Sequence, residues 1–266
     1  MKRILSEDNP HFRALLKLAQ SSRERRKAGL SLLDGVHLVA AYREHFGIPV
    51  AVAISESGQV NAQTQRVLET LKPLAPLVLS DGLFAMLSTV STPTGIIASI
   101  QTPRAPVMPA RLETCLLLED IQDPGNLGSI LRSAAGAGIR HICLSKSSVH
   151  SWSPRVLRAG MGAHFMLDIH EQCDLVEIAR NFQGRVIVTA LDARASLFNM
   201  DLRGNVALVF GNEGAGVSSV LTAVAHDTMS IPMPGKIESL NVGAAVAVCL
   251  FERVRQIGEK PTSLAR

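Results

Sequence analysis

Apolar and polar positions along this chain alternate between two spacings, short apolar runs of strand length and longer stretches with helical periodicity. Residues 11–29 predict one basic amphipathic helix, followed by an apolar run at 30–33, a turn at Asp34-Gly35 and a second helix to about His45. The spacing then predicts a strand at 49–54, a helix at 62–71, a strand at 76–79, a short helix at 83–87 and a strand at 95–100. Beyond residue 112, apolar strands are expected at 115–118, 141–144, 186–191, 206–210 and 228–231, with helical stretches between them and a last helix over about 239–257. Strands that read as continuous apolar runs and alternate with helices are the mark of a largely parallel sheet covered on both faces.

Between the two series lies Gln-Thr-Pro-Arg-Ala-Pro-Val-Met-Pro-Ala, residues 101–110, with three prolines that fix their own φ and donate no backbone N–H. The expected organisation is therefore α/β throughout: a small α/β domain at 1–100, a linker at 101–112 and a second α/β domain at 113–266. A chain of 266 residues with 47% hydrophobic content is long enough to bury two modest cores.

Charge and composition narrow the partners. The net charge of +4 is concentrated at the start: the first 30 residues carry eight Lys or Arg against three Asp or Glu, and the remainder sums to about zero. Arg23, Arg25, Arg26 and Lys27 cluster there as a candidate polyanion-binding patch, and a solvated helix face explains the same cluster equally well on charge alone. With one Trp, one Tyr and eight Phe, binding by several stacking aromatics is poorly supported, so nucleic acid would be held by charge and shape. The four cysteines, 115, 143, 173 and 249, form no CxxC pair, and three sit in apolar runs as expected buried side chains. No two histidines stand at i, i+4 beside a carboxylate, so no metal is expected. The opening Met-Lys-Arg-Ile-Leu-Ser-Glu-Asp has no apolar signal core and no segment is long enough to span a bilayer, which sets the expectation of a cytoplasmic protein.

Three short stretches carry candidate chemistry. In Asp123-Pro-Gly-Asn-Leu-Gly-Ser-Ile-Leu-Arg132 the chain leaves a strand, passes the acidic Glu119-Asp120, bends at Pro-Gly and enters a helix near Asn126. Asn126 suits an N-cap or an orienting role. Arg132 falls one turn after Gly128 and offers a planar fork of donors suited to phosphate. In Phe210-Gly-Asn-Glu-Gly214, glycines at a strand end permit a tight turn and close approach of a ligand, and Glu213 could orient Arg132, bind a cofactor group or pair at the surface. In Ile231-Pro-Met-Pro-Gly-Lys-Ile-Glu-Ser-Leu-Asn-Val242, two prolines forbid regular pairing at the strand end and leave backbone groups free, while Ser239 is a candidate helix cap and Asn241 presents both a donor and an acceptor. Neither a GxGxxG nor a GxxxxGK[ST] loop is present, which argues against dinucleotide binding and nucleotide hydrolysis.

In this order and spacing the three stretches resemble the signature motifs of the SpoU (TrmH-like) branch of the SPOUT RNA methyltransferases. The amino-terminal stretches Arg26-Lys-Ala-Gly-Leu-Ser-Leu-Leu-Asp-Gly-Val-His-Leu-Val39 and Thr92-Pro-Thr-Gly-Ile-Ile97 are similar to the substrate-binding domain that precedes the catalytic domain in many such enzymes. Asp34 stands where that domain more often has glutamate, Ala215 where an acidic residue is common, and Gly243 where serine is frequent. The resemblance implies methyl transfer from S-adenosylmethionine to a ribose 2′-hydroxyl of ribosomal or transfer RNA, a catalytic domain with a mostly parallel sheet and a deep trefoil knot, and a homodimer around the site. It further implies catalytic roles for Arg132, Asn126, Glu213, Ser239 and Asn241. Cofactor contacts are implied at Leu191, Gly211, Glu213, Ile231 and Leu240, and RNA contacts at Arg132 and the amino-terminal basic cluster. Arg132 is expected to position and stabilise charge rather than act as a simple base, because guanidinium stays protonated. Two other readings are weighed beside it: an RNA-binding assembly factor that keeps the fold without turnover, and a nicotinamide-dependent oxidoreductase, which the missing glycine fingerprint disfavours.

Overall fold

The computed structural model describes residues 2–90 and 92–258. They fall into two compact units, one comprising the residues up to Arg104 together with His150–Phe165, the other comprising Ala105–Val149 and the residues from Met166 onward.

In the first unit the elements run β1 (Lys2–Ile4), α1 (Pro10–Gln20), α2 (Ser22–Ala28), β2 (Leu30–Asp34), α3 (Val36–Phe46), β3 (Ala51–Ser55), α4 (Ala62–Thr70), β4 (Leu77–Leu79), α5 (Asp81–Leu87) and β5 (Ile96–Gln101). The strands form a mixed sheet in the order β1-β4-β3-β5-β2, with β5 antiparallel to both β2 and β3. Successive strand residues enter opposite cores: Leu32, Ala53 and Ile97 pack with Phe12, Leu15 and Phe84 on one face, while Leu33, Ile54 and Ile96 pack with Val39 and Tyr42 on the other. A sheet covered on both faces needs apolar residues at every position, which is why these strands read as runs rather than as alternations.

The single helix expected over 11–29 is two. Ser21 has extended backbone; its N–H donates to the Lys17 carbonyl at the end of α1, and its hydroxyl accepts from Glu24 N–H at the start of α2. A residue that closes one helix and caps the next breaks a periodicity that continues through it. The break also redirects Arg25. Its guanidinium donates to the carbonyls of Leu18 at 2.7 Å and Ala19 at 3.3 Å, satisfying the exposed end of α1, and the residue is buried. Burial, with the neighbouring Arg26, lowers its pKa from the ordinary arginine value. Arg25 is therefore a structural group, and the candidate RNA-binding patch reduces to Arg23, Arg26 and Lys27, all exposed.

The second unit begins with β6 (Cys115–Leu118), α6 (Pro124–Gly136) and β7 (His141–Ser145). The chain then leaves for the first unit. Segment 150–165, with α7 (Pro154–Gly160), places Trp152, Leu157 and Phe165 in the same core as Leu33, Tyr42 and Val52. The expectation of one continuous domain over 113–266 is corrected here: the insertion's apolar residues follow a helical pattern like their neighbours', and periodicity does not say which core they enter. Returning, the chain forms β8 (Asp168–Cys173), α8 (Leu175–Asn181), β9 (Arg185–Thr189), the two-residue β10 (Ala195–Ser196), β11 (Val206–Phe210), α9 (Ser219–Ala223), β12 (Asp227–Ser230) and α10 (Val242–Ile257).

These seven strands are all parallel, in the order β10-β12-β9-β11-β6-β7-β8. The sequence pattern misses β1, β8 and β10, each short or polar and each on a sheet edge where one side goes unpaired. In β8, Gln172 at φ 61° accompanies a register shift against β7, which further blurs the alternation.

Candidate active site

Parallel strands collect ligands at their carboxyl ends. Here those ends enclose a cavity of about 370 Å³, bounded by the end of β9 and residues 190–192, by Phe210 and the loop 211–217 after β11, and by Ser239, Leu240, Val242 and Ala245 at the approach to α10. Of the expected cofactor contacts, Leu191, Gly211, Glu213 and Leu240 line it; Ile231, one residue past the end of β12, does not. Leu191 lies two residues past the end of β9 rather than within it, and the residue is 72% exposed.

Asn126 ties the three motifs together. Its side-chain Nδ2 donates to Glu213 Oε1 at 2.6 Å, and its Oδ1 accepts from Asn241 Nδ2 at 2.8 Å. The other face of Asn241 accepts the N–H groups of Gly243 and Ala244, so one amide both caps α10 and fixes the Asn126 carbonyl. This arrangement decides between the two roles open to Asn126 and corrects the expected cap of the last helix. The cap of α6 is Asp123, which accepts from Asn126 N–H at 2.7 Å, because the Pro124 that follows already occupies the first helical position; Asn126 takes the orienting role instead. The cap of α10 is Asn241 rather than Ser239, since the helix starts at Val242. Ser239 stands on the cavity wall.

The loop after β11 turns back on itself through an antiparallel bridge between Asn212 and Gly216, with N–H to carbonyl distances of 3.1 and 2.9 Å. Asn212 Oδ1 also accepts from Gly214 and Ala215 N–H. A Cβ at Gly211 would lie 2.1 Å from the Gly216 carbonyl oxygen and 2.4 Å from Val217 N, so only glycine fits where the two arms of the loop cross. Asn212 is a residue that the sequence reading passed over, although an asparagine in a glycine-rich turn is the usual carrier of such side-chain-to-backbone bonds.

Arg132 lies on α6, exposed, and among the described residues makes no hydrogen bond or ion pair. Glu213 does not orient it; that carboxylate is engaged by Asn126. The guanidinium is thus left with all its donors available for a ligand.

His164, Cys115 and Cys249 are buried and do not line the cavity. His164 is buried in the first unit, with Nε2 2.9 Å from the Ser151 carbonyl, and burial lowers its pKa to about 4. Burial pushes the thiols of Cys115 and Cys249 up to about 12, so neither is a nucleophile near neutral pH. Among the described residues no three His, Cys, Asp or Glu side chains gather as a metal site. No helix among them is long and apolar enough to cross a membrane.

The parallel sheet thus carries a glycine-lined cavity at its carboxyl edge, with the Asn126 bridge linking Glu213 of the cavity wall to Asn241. Residues 113–251, more than half of the chain, match the SpoU rRNA Methylase family, and the chain belongs to that family. It is 34% identical over 260 residues to an uncharacterised tRNA/rRNA methyltransferase of Synechocystis, covering 95% of this chain and 93% of that one. It is 28% identical over 253 residues to the 23S rRNA (guanosine-2′-O)-methyltransferase RlmP of Bacillus subtilis, covering 94% and 98% of the two chains. Among solved structures, the SpoU methyltransferase AviRb of Streptomyces viridochromogenes, in complex with S-adenosylmethionine, superposes with a TM-score of 0.80 at 25% identity, over 94% of this chain and 99% of that one.

Proposed function

We propose that this protein is an S-adenosylmethionine-dependent RNA methyltransferase that transfers the methyl group to a ribose 2′-hydroxyl of ribosomal or transfer RNA. The observation that carries the reading is the junction at Asn126, which holds Glu213 and Asn241 from two distant stretches against the first motif, beside a cavity that three of the expected cofactor-binding segments line. Intact hydrogen bonding across all three motifs favours turnover over a non-catalytic assembly role.

The cavity suits a nucleoside. At about 370 Å³ it falls in the range of small-ligand sites, with apolar walls from Val188, Leu191 and Leu240 and with the close-packed glycine loop presenting backbone polar groups. When bound, S-adenosylmethionine supplies an electrophilic methyl on a sulfonium centre. The chain's residues have to place a ribose oxygen in line with that carbon, and the hydroxyl proton has to leave as the new O–C bond forms and the S–C bond breaks. Arg132 contacts the target nucleotide, with its fork on the adjacent phosphate, positioning the sugar and stabilising the charge that develops on oxygen. Asn126, Glu213, Ser239 and Asn241 shape the pocket, and Gly211, Leu191 and Leu240 hold the cofactor. The first unit holds the RNA, with Arg23, Arg26 and Lys27 as its exposed cations.

The family's deep trefoil knot belongs to this reading, as do a cytoplasmic location and a homodimer. Support for the homodimer comes from α10, whose outer face carries Ala244, Val248 and Phe251 at helical spacing, the last 52% exposed. An exposed apolar stripe on one helix face is the kind of surface that an interface core uses. Phe251→Glu is expected to shift the protein from a dimer to a single-chain mass in light scattering; an unchanged mass removes α10 from the interface.

Wild-type protein incubated with methyl-labelled S-adenosylmethionine and RNA lacking ribose methylation should incorporate label, and nuclease digestion should release it as a 2′-O-methylnucleoside. Label recovered on a base, or none at all, overturns the assignment.

A further inference from the structure

Strand β6 is followed at once by Glu119 and Asp120, an acidic pair to which neither the motifs nor the cavity assigns a role. We propose that Glu119 is a positioning residue for the reaction: with the backbone of Asp120, it clamps both ends of the loop 211–218 and so sets the shape of the S-adenosylmethionine site. The inference rests on the reading of the cavity as that site.

The clamp has two jaws. At the far end of the loop, Glu119 Oε2 accepts the Ser218 N–H at 2.7 Å and Oε1 accepts the Ser218 hydroxyl at 2.8 Å, a two-pronged grip on one residue by one carboxylate. At the near end, the Asp120 carbonyl accepts from Asn212 Nδ2 at 3.0 Å. Strand pairing fixes the base of the grip: Glu119 N–H donates to the Phe210 carbonyl at 2.9 Å, which continues the β6–β11 ladder by one residue beyond the strands themselves. Asp120 adopts φ 55°, and the Ser145 hydroxyl secures it by donating to its carboxylate at 2.6 Å, while its own N–H donates to Ser145 Oγ. A short acidic side chain is among the few that tolerate this left-handed backbone, and the turn points the Asp120 carbonyl at the loop.

Between these two attachment points lie the residues that form the cavity wall from Gly211 to Val217. The loop has few apolar anchors of its own, since residues 213–216 are exposed. Its conformation therefore depends on polar bonds at its ends, and hydrogen bonds to an ionised carboxylate are stronger than neutral ones. Ser218 is also the cap of α9, accepting Leu221 N–H at 3.3 Å, so the grip carries on into Thr222, which lines the same cavity. Glu119 touches neither substrate nor cofactor in this account; it acts through the loop.

The test compares Glu119→Ala, Glu119→Gln and Ser218→Ala with wild type, using calorimetric titration with S-adenosylmethionine, steady-state KM for cofactor and for RNA, and thermal unfolding. Glu119→Ala should weaken cofactor binding by about tenfold or more and raise the cofactor KM in step, leaving the RNA KM unchanged. Glu119→Gln should stay within about threefold of wild type, because its carboxamide oxygen still accepts the Ser218 N–H and the serine hydroxyl can turn to accept from its amide. Wild-type affinity in Glu119→Ala overturns the proposal, as does an equal loss in the alanine and glutamine variants, which would assign the effect to charge rather than to the grip. If Glu119→Ala fails to fold, Ser218→Ala decides: it keeps the backbone bond, and its cofactor Kd should rise by about threefold with the RNA KM unchanged, with no rise counting against the clamp. Failure of wild type itself to bind S-adenosylmethionine removes the parent reading and this one with it, and is distinct from a variant that binds as well as wild type.

Discussion

Arg132→Ala is expected to lower methyl transfer to RNA by about 10²–10³-fold, while the affinity for S-adenosylmethionine stays within about twofold. The asymmetry follows from where the residue sits. Arg132 is absent from the cavity wall, and among the described residues it spends none of its donors within the protein. Its helix is nonetheless anchored: Asp123 caps the first turn, and Asn126 is held from both sides by Glu213 and Asn241. An arginine on a fixed helix with unspent donors is preorganised for an anion that arrives with the substrate. Arg132→Lys should fall between the two, since it restores the charge but loses the planar fork. Single-turnover rates combined with calorimetric titration separate the two effects. Equal transfer by wild type and the alanine variant would exclude Arg132 from the reaction.

Gly211→Ala should have the opposite signature, abolishing measurable cofactor binding at concentrations about 100-fold above the wild-type Kd. The added methyl would stand 2.1 Å from the Gly216 oxygen and 2.2 Å from its carbonyl carbon, both backbone atoms, so no side-chain rotation relieves the overlap. The Asn212–Gly216 bridge has to open, and the loop that walls the cavity moves with it. Gly214→Ala is the control, since a methyl there meets nothing nearer than the Asn212 oxygen at 3.5 Å, an ordinary contact. Retained binding in Gly211→Ala would mean that the loop is looser than its hydrogen bonds indicate.

The sequence was informative wherever one residue type answers one demand. The apolar runs at 115–118 and 206–210 became central strands with those bounds, because a strand buried on both faces leaves little choice of residue. Glycines and asparagines marked the loops that form the cavity, because tight turns and backbone hydrogen bonding need them. What stayed hidden depended on geometry that periodicity does not encode. Ser21 stands in a continuous amphipathic pattern yet splits it; Arg25 looked like its basic neighbours until its direction along α2 placed it under the end of α1. Asp123, one residue before the proline, took the cap, one of the two roles open to Asn126, and this freed the Asn126 amide to bridge two loops that lie 87 and 115 residues away. Leu191 was placed on the cofactor by resemblance and lines the cavity, whereas Ile231, named on the same grounds, does not.

The excursion of residues 150–165 has a practical consequence for anyone treating this gene as a pair of cassettes. Part of the interior of the first unit is encoded between two strands of the second, since Trp152, Leu157 and Phe165 fill a core otherwise made from the first hundred residues. Splicing a foreign leading module onto the trailing half would strand three large apolar side chains without their neighbours, and expressing the leading half alone would leave the matching hollow open to water. Swaps between relatives should therefore carry the inserted helix along with the module it completes.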